Sequence, residues 1–208
     1  MSNFKSISGL AQIAGNYDVI LCDIWGVIHN GNSPYKPATE ALELFRSENG
    51  PVILISNSPK PSISIPRAFD SIGVLGDFYD AVVTSGDAII NEIARRAPGP
   101  VFKLGPDRDD VLYADMDLHF SDIEHASFIS CTGMFDDDDK PDDYLKLLTE
   151  AKDRSLPFLC ANPDVKVRFG GKIVWCGGAL AKIYEKIGGE VIYAGKPHDP
   201  IYSLTRAW

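Results

Sequence analysis

The stretch Tyr17–Gly31, YDVILCDIWGVIHNG, decides the fold. Val19, Ile20, Leu21 and Cys22 form a short apolar run of strand-forming residues. Such a run reads as a strand buried on both faces of a parallel sheet. It stops at Asp23, and a turn-like segment with Gly26, Asn30 and Gly31 follows. Open α/β sheets bind ligands beyond the carboxyl ends of their strands, which is where this carboxylate falls. Asp also ends strands for a plainer reason, because it bonds its own backbone in turns. Two later strand ends, at Ser56 and Lys196, shift the reading towards chemistry.

Outward from that stretch, strand-like and helix-like segments alternate. A helix is expected over Pro37–Glu48, with Ala38, Ala41, Leu42 and Phe45 on one face, stopped by Asn49-Gly50-Pro51. Val52–Ile55 reads as a second buried strand ending in Ser56-Asn57-Ser58-Pro59, and Ala81–Val83 as a third ending in Thr84-Ser85-Gly86-Asp87. Short helices are expected over 67–72 and 88–96. This alternation predicts a parallel sheet with crossover helices, whose polar strand ends line one crevice. Pro98-Gly99-Pro100 is the best domain boundary. A second α/β series follows, with strands at 101–104, 127–130, 158–161 and 173–175 and helices at 142–153 and 179–187. Val191–Ala194 is expected to be another strand, ahead of Gly195-Lys196-Pro197. Asp199-Pro200 starts a last helix, Asp as N-cap and Pro at the first helical position.

The 208 residues suffice for one large or two small domains. A net charge of −9 argues against a nucleic-acid partner, which needs a basic patch. No apolar run approaches membrane-spanning length, and no secretory signal opens the chain. Cys22, Cys131, Cys160 and Cys176 form no CxxC pair and sit in apolar settings, as reduced thiols of a cytoplasmic protein would. The acidic run Asp136–Asp139 reads as a solvated loop, since adjacent loop side chains rarely converge on one ion.

Covalent phosphoryl transfer needs a carboxylate nucleophile, a cation to shield it, and donors for the phosphate oxygens. Asp23, Ser56 and Lys196 can supply nucleophile, donor and positive charge. DIWGVIHNG, ILISNSPK and YAGKP, in that order, resemble motifs one, two and three of the haloacid dehalogenase superfamily. FLCANPD and CGGALAKIYEKIGG are similar to its class IIA branch, the NagD-like and pyridoxal-phosphate-phosphatase-like enzymes.

The resemblance implies a Rossmann-like α/β core, a parallel sheet with flanking helices, interrupted by an inserted α/β cap domain. The expected division is 1–98 core, 99–189 cap and 190–208 core again, incomplete. It implies catalytic roles for Asp23 and Lys196 and phosphate or substrate contacts from Ser56, Asn57, Trp25 and Gly26. Asn162 and Asp164 become candidate contacts from the cap. A Mg²⁺ cofactor is implied, held by Asp23 and the backbone carbonyl of Trp25. The expected activity is a Mg²⁺-dependent phosphohydrolase of small phosphorylated metabolites, acting through an aspartyl-phosphate. The rival is a catalytically weak phosphate-ligand-binding protein on the same scaffold. Dehalogenase chemistry, a third reading, disagrees with the Ser56/Lys196 pair. A homo-oligomer is left open.

Two departures stand out. The first motif of the family reads Asp-x-Asp, its second Asp serving as acid and base, and here Trp25 holds that place. An indole N–H only donates, so hydrolysis is expected to be slow. The fourth motif, a Gly-Asp followed by another Asp, does not appear between Lys196 and Trp208. The chain is therefore expected to be a fragment or a truncated gene product, poorly active as it stands. His29 and His198 read as exposed turn residues.

Overall fold

A computed structural model describes residues 6–169 and 171–208. Of the N-terminal stretch, residues 1–5 lie outside them, and Leu10–Gln12 and Ala14–Asn16 form two short 3-10 turns. Strand β1 is Ile20–Asp23, helix α1 Lys36–Glu48, β2 Val52–Ser56, α2 Ile65–Ile72, β3 Ala81–Thr84 and α3 Ser85–Ala94. The strands lie parallel in the order β1-β2-β3, with Asp23 opposite Ile55 and Ser56 opposite Thr84. The side-chain periods of two for strands and 3.6 for helices sort the apolar residues onto facing surfaces. Val52 and Leu54 face a cluster with Leu42, Phe45, Phe69 and Phe78 of the helices and loops on one side. Ile53 and Ile55 face the other, with Ile89 and Ile93 of α3.

β1 departs from expectation. It pairs only with β2 among the described residues, and Leu21 and Val19 are 44% and 45% exposed. The last helix, α6 (Asp199–Thr205), packs on β2 and β3 of that face, so Leu21 lies beyond its cover. The doubly buried strand is β2, buried at all five positions.

The second series holds β4 (Val101–Leu104), β5 (Phe128–Cys131), α4 (Leu145–Asp153), β6 (Phe158–Cys160), β7 (Lys166–Phe169), β8 (Lys172–Trp175), α5 (Gly177–Lys186) and β9 (Val191–Tyr193). Its main sheet is parallel, in the order β4-β5-β6-β9. The strand at Val191 thus joins the second sheet instead of returning to the first. A helical crossover brings it parallel to β6, whose outer edge it fills with Phe158 opposite Val191. The chain returns to the first sheet only with α6. His198, not Asp199, is the N-cap of that helix, and Pro200 occupies its second position.

β7 and β8 form an antiparallel hairpin that sequence reasoning missed on its first strand. Its signal was present: Lys166–Phe169 and Lys172–Trp175 flank Gly170-Gly171, a hairpin dipeptide. One apolar cluster runs without a break from the first sheet into the second. It joins Ile53, Val83, Ile89 and Ile201 to Val101, Leu112, Phe128 and Leu159.

Candidate active site

Asp23 ends β1 and Lys196 follows β9, 173 positions later, yet Lys196 Nζ donates to Asp23 Oδ1 at 2.5 Å. The same ammonium donates to the carbonyl of Ile55 at 2.9 Å, one residue before Ser56. The Lys196 side chain is 18% exposed and that of Asp23 43%, so the ammonium is largely covered while the carboxylate stays open to solvent. Ser56 is buried, and its Oγ accepts from the Ser58 N–H at 3.1 Å, leaving the hydroxyl proton unassigned.

Asn57 does more than the sequence suggested. Its Oδ1 accepts from the Lys196 N–H at 2.7 Å, and its Nδ2 donates to the Lys196 carbonyl at 3.1 Å. The remaining Nδ2 proton goes to Asp164 Oδ1 at 2.9 Å. Both protons of the side-chain amide are thus engaged with protein. Gly195 permits this contact, since a Cβ there would stand 2.5 Å from Asn57 Oδ1 and 2.7 Å from Ser85 Oγ. Gly26 lies in the turn after Asp23. Its φ is +83° and its N–H donates to the His29 carbonyl, so it serves the turn after Asp23.

Trp25 is turned towards the hairpin. Its Nε1 donates to the Arg168 carbonyl at 3.0 Å, and its ring stacks on Phe169 with centroids 5.5 Å apart. Gly31, at φ +94°, lets the turn pass beneath, since a Cβ there would lie 2.7 Å from the indole. His29 is buried between Trp25 and Phe69, with Nδ1 accepting from the Gly31 N–H. Burial pushes its pKa down, against the pull of the Asp23 carboxylate. His198 stacks on Tyr193.

Of the two candidates from the second sheet, Asp164 reaches the site through Asn57. Asn162 does not, because its Oδ1 accepts from the Asp164 N–H in a local turn. The third strand end is structural too. Thr84 and Asp87 form a capping box for α3, and Asp87 also accepts from the Ser62 N–H. Asp136–Asp139 is an exposed loop bonded within itself, with Asp137 paired to Arg108.

The family profile described as haloacid dehalogenase-like hydrolase matches residues 20–119. A solved haloacid dehalogenase-like hydrolase from Brucella suis 1330 is 40% identical, covering 97% of this chain and 75% of that one, with a TM-score of 0.93. The chain belongs to the haloacid dehalogenase-like hydrolase family. Within it the chain resembles the p-nitrophenyl phosphatase of Archaeoglobus fulgidus at 20% identity over 91% of this chain and 73% of that one, TM-score 0.66. It is also similar to a Mycobacterium tuberculosis glycerol phosphate phosphatase, solved with magnesium, at 18% identity over 94% and 59%, TM-score 0.67. These last two likenesses concern the fold. Among curated proteins none matches the chain. No helix among the described residues is long and apolar enough to cross a membrane.

Proposed function

We propose that the chain hydrolyses phosphate monoesters of small metabolites through an aspartyl-phosphate at Asp23. The observation that carries this reading is the Lys196 ammonium seated between Asp23 Oδ1 and the Ile55 carbonyl. It holds one carboxylate oxygen and leaves the other to attack phosphorus. That attack forms the acyl-phosphate bond and breaks the ester P–O bond, and the leaving alkoxide takes its proton from water. A second water then attacks phosphorus and frees the carboxylate. Lys196, the Ser56 hydroxyl and the Asn57 backbone N–H are the groups we assign to the phosphate oxygens. The segment 99–189, with β9 attached to it, is the proposed cap, and its hairpin meets Trp25.

Mg²⁺ is the cofactor we assign. Asp23 and the Trp25 carbonyl offer oxygens, the donor type a hard cation takes. Among the described residues there is no group of three His, Cys, Asp or Glu able to hold a metal, so water and phosphate would complete a set of about six. When bound, the ion shields the carboxylate from the anionic phosphate. The cytoplasm is the compartment we assign, in keeping with four free cysteines.

One observation favours the rival, a phosphate-ligand-binding protein that barely turns over. The Trp25 side chain is fixed on the hairpin and offers neither acid nor base to a leaving group. Turnover of p-nitrophenyl phosphate separates the two readings. The enzyme reading expects hydrolysis that Asp23→Asn abolishes and fluoroberyllate trapped on Asp23. Hydrolysis undiminished in Asp23→Asn would refute the nucleophile. Phosphate binding with no turnover would establish the rival.

A further inference from the structure

The Asn57 amide clamps Lys196 from two directions at once. Its oxygen takes the Lys196 N–H and its nitrogen gives to the Lys196 carbonyl, so the backbone that carries the ammonium is fixed on both sides. The third bond of the amide leaves the first sheet and ends on Asp164, in the loop after β6. These bonds lie in series, Asp164 carboxylate to Nδ2–H, then Oδ1 to the Lys196 N–H. Donating a hydrogen bond from Nδ2 to the carboxylate draws electron density towards Oδ1, and so strengthens its hold on the next N–H. At its far end the Lys196 side chain meets Asp23 and the Ile55 carbonyl.

We infer that Asp164 is a positioning residue, which acts through Asn57 to place the Lys196 ammonium on Asp23 and so ties the second sheet to the catalytic pair. The inference rests on the phosphatase reading. Three observations bear it together. Asn57 has no donor left over, so its side chain does not serve substrate. Gly195 leaves room for the clamp and for nothing larger, with Pro163 Cδ only 2.9 Å from where its Cβ would be. Asp164 Oδ1 meets Asn57, whereas its neighbour Asn162 bonds locally. Displacing the loop 162–164 breaks the third bond first, and Lys196 loses alignment before it loses its place.

A double-mutant cycle on p-nitrophenyl phosphate tests this. Asp164→Ala is expected to lower kcat on the order of tenfold with KM little changed. Asp164→Asn, which keeps an acceptor oxygen, is expected to recover much of that loss. In a Lys196→Met background Asp164→Ala is expected to cost nothing further, because there is no ammonium left to place. If Lys196→Met does not fold, Lys196→Arg serves, with a smaller Asp164 effect expected. The same tenfold loss in both backgrounds, or a KM rise with kcat intact, overturns the inference. These outcomes are distinct from failure of the phosphatase reading, which shows as wild-type turnover that Asp23→Asn does not reduce. Should wild type not turn over, the readout is amide hydrogen exchange at Lys196. Faster exchange in Asp164→Ala and wild-type exchange in Asp164→Asn uphold the relay, and unchanged exchange in Asp164→Ala overturns it.

Discussion

The indole Nε1 of Trp25 bonds the carbonyl of Arg168, 143 positions along the chain, at 3.0 Å. Trp25 is therefore a fastener between the turn after β1 and the hairpin. Stacking on Phe169 adds about 0.5–1.5 kcal/mol beyond the area it buries.

Trp25→Asp is expected to speed hydrolysis of alkyl phosphates relative to p-nitrophenyl phosphate, because nitrophenolate departs without a proton and an alkoxide does not. The ratio of the two rates is the measurement. An unchanged ratio means that the position governs the hairpin alone.

Gly195→Ala is expected to destabilise the protein by about 1–3 kcal/mol, the range for overpacking a filled site. Its Cβ meets Asn57 Oδ1 and Ser85 Oγ inside contact distance. Activity should fall further than stability explains, since the clamp on Lys196 is what gives way. Thermal melts and kcat on the same preparation check both.

Ser85 is wholly buried, and its Oγ has no hydrogen-bond partner among the described residues. Ser85→Ala removes an unsatisfied hydroxyl, which costs about 1 kcal/mol or more when left unpaired. The melting temperature is expected to rise by about 2–4 °C. A fall would mean that the hydroxyl is bonded in solution.

The four thiols are expected to resist iodoacetamide in the native state from pH 7 to 9 and to react together on unfolding. Burial pushes Cys22 up to about 11 and Cys176 up to about 12, and raises Cys131 and Cys160 as well. The reactive thiolate is thus scarce throughout that range. Mass spectrometry of the native protein checks this, and rapid native labelling of any one cysteine would contradict it.

The meeting of Asp23 with Lys196 was legible in part, because each stands at the end of a short apolar run, although the strand before Lys196 belongs to the other sheet. The helix over 36–48 and the strands at 52–56 and 101–104 were legible for the same local reason. The sheet that Val191–Tyr193 joins was not, since a strand's partner depends on which edge is free. Exposure of Leu21 was hidden likewise, because an apolar residue on an edge strand looks like one in the middle. The Asn57 clamp was invisible for a third reason. Its three bonds reach residues 107 and 139 positions away, and only the folded chain brings them together.

The apolar cluster that passes from Ile53 and Val83 through Ile89 and Ile201 to Phe128 and Leu159 has a bearing on protein engineering. Segments such as 99–189 invite exchange between relatives as cassettes. Here a cassette cut at the loop boundaries would sever a filled interior, and each half would expose leucines, isoleucines and aromatics to water. A working chimaera has to import the α3 and α6 faces along with the foreign segment. Sequence drift on either side of that seam is correspondingly expected to be concerted, a change of volume at Phe128 or Leu159 answered at Ile89 or Ile201.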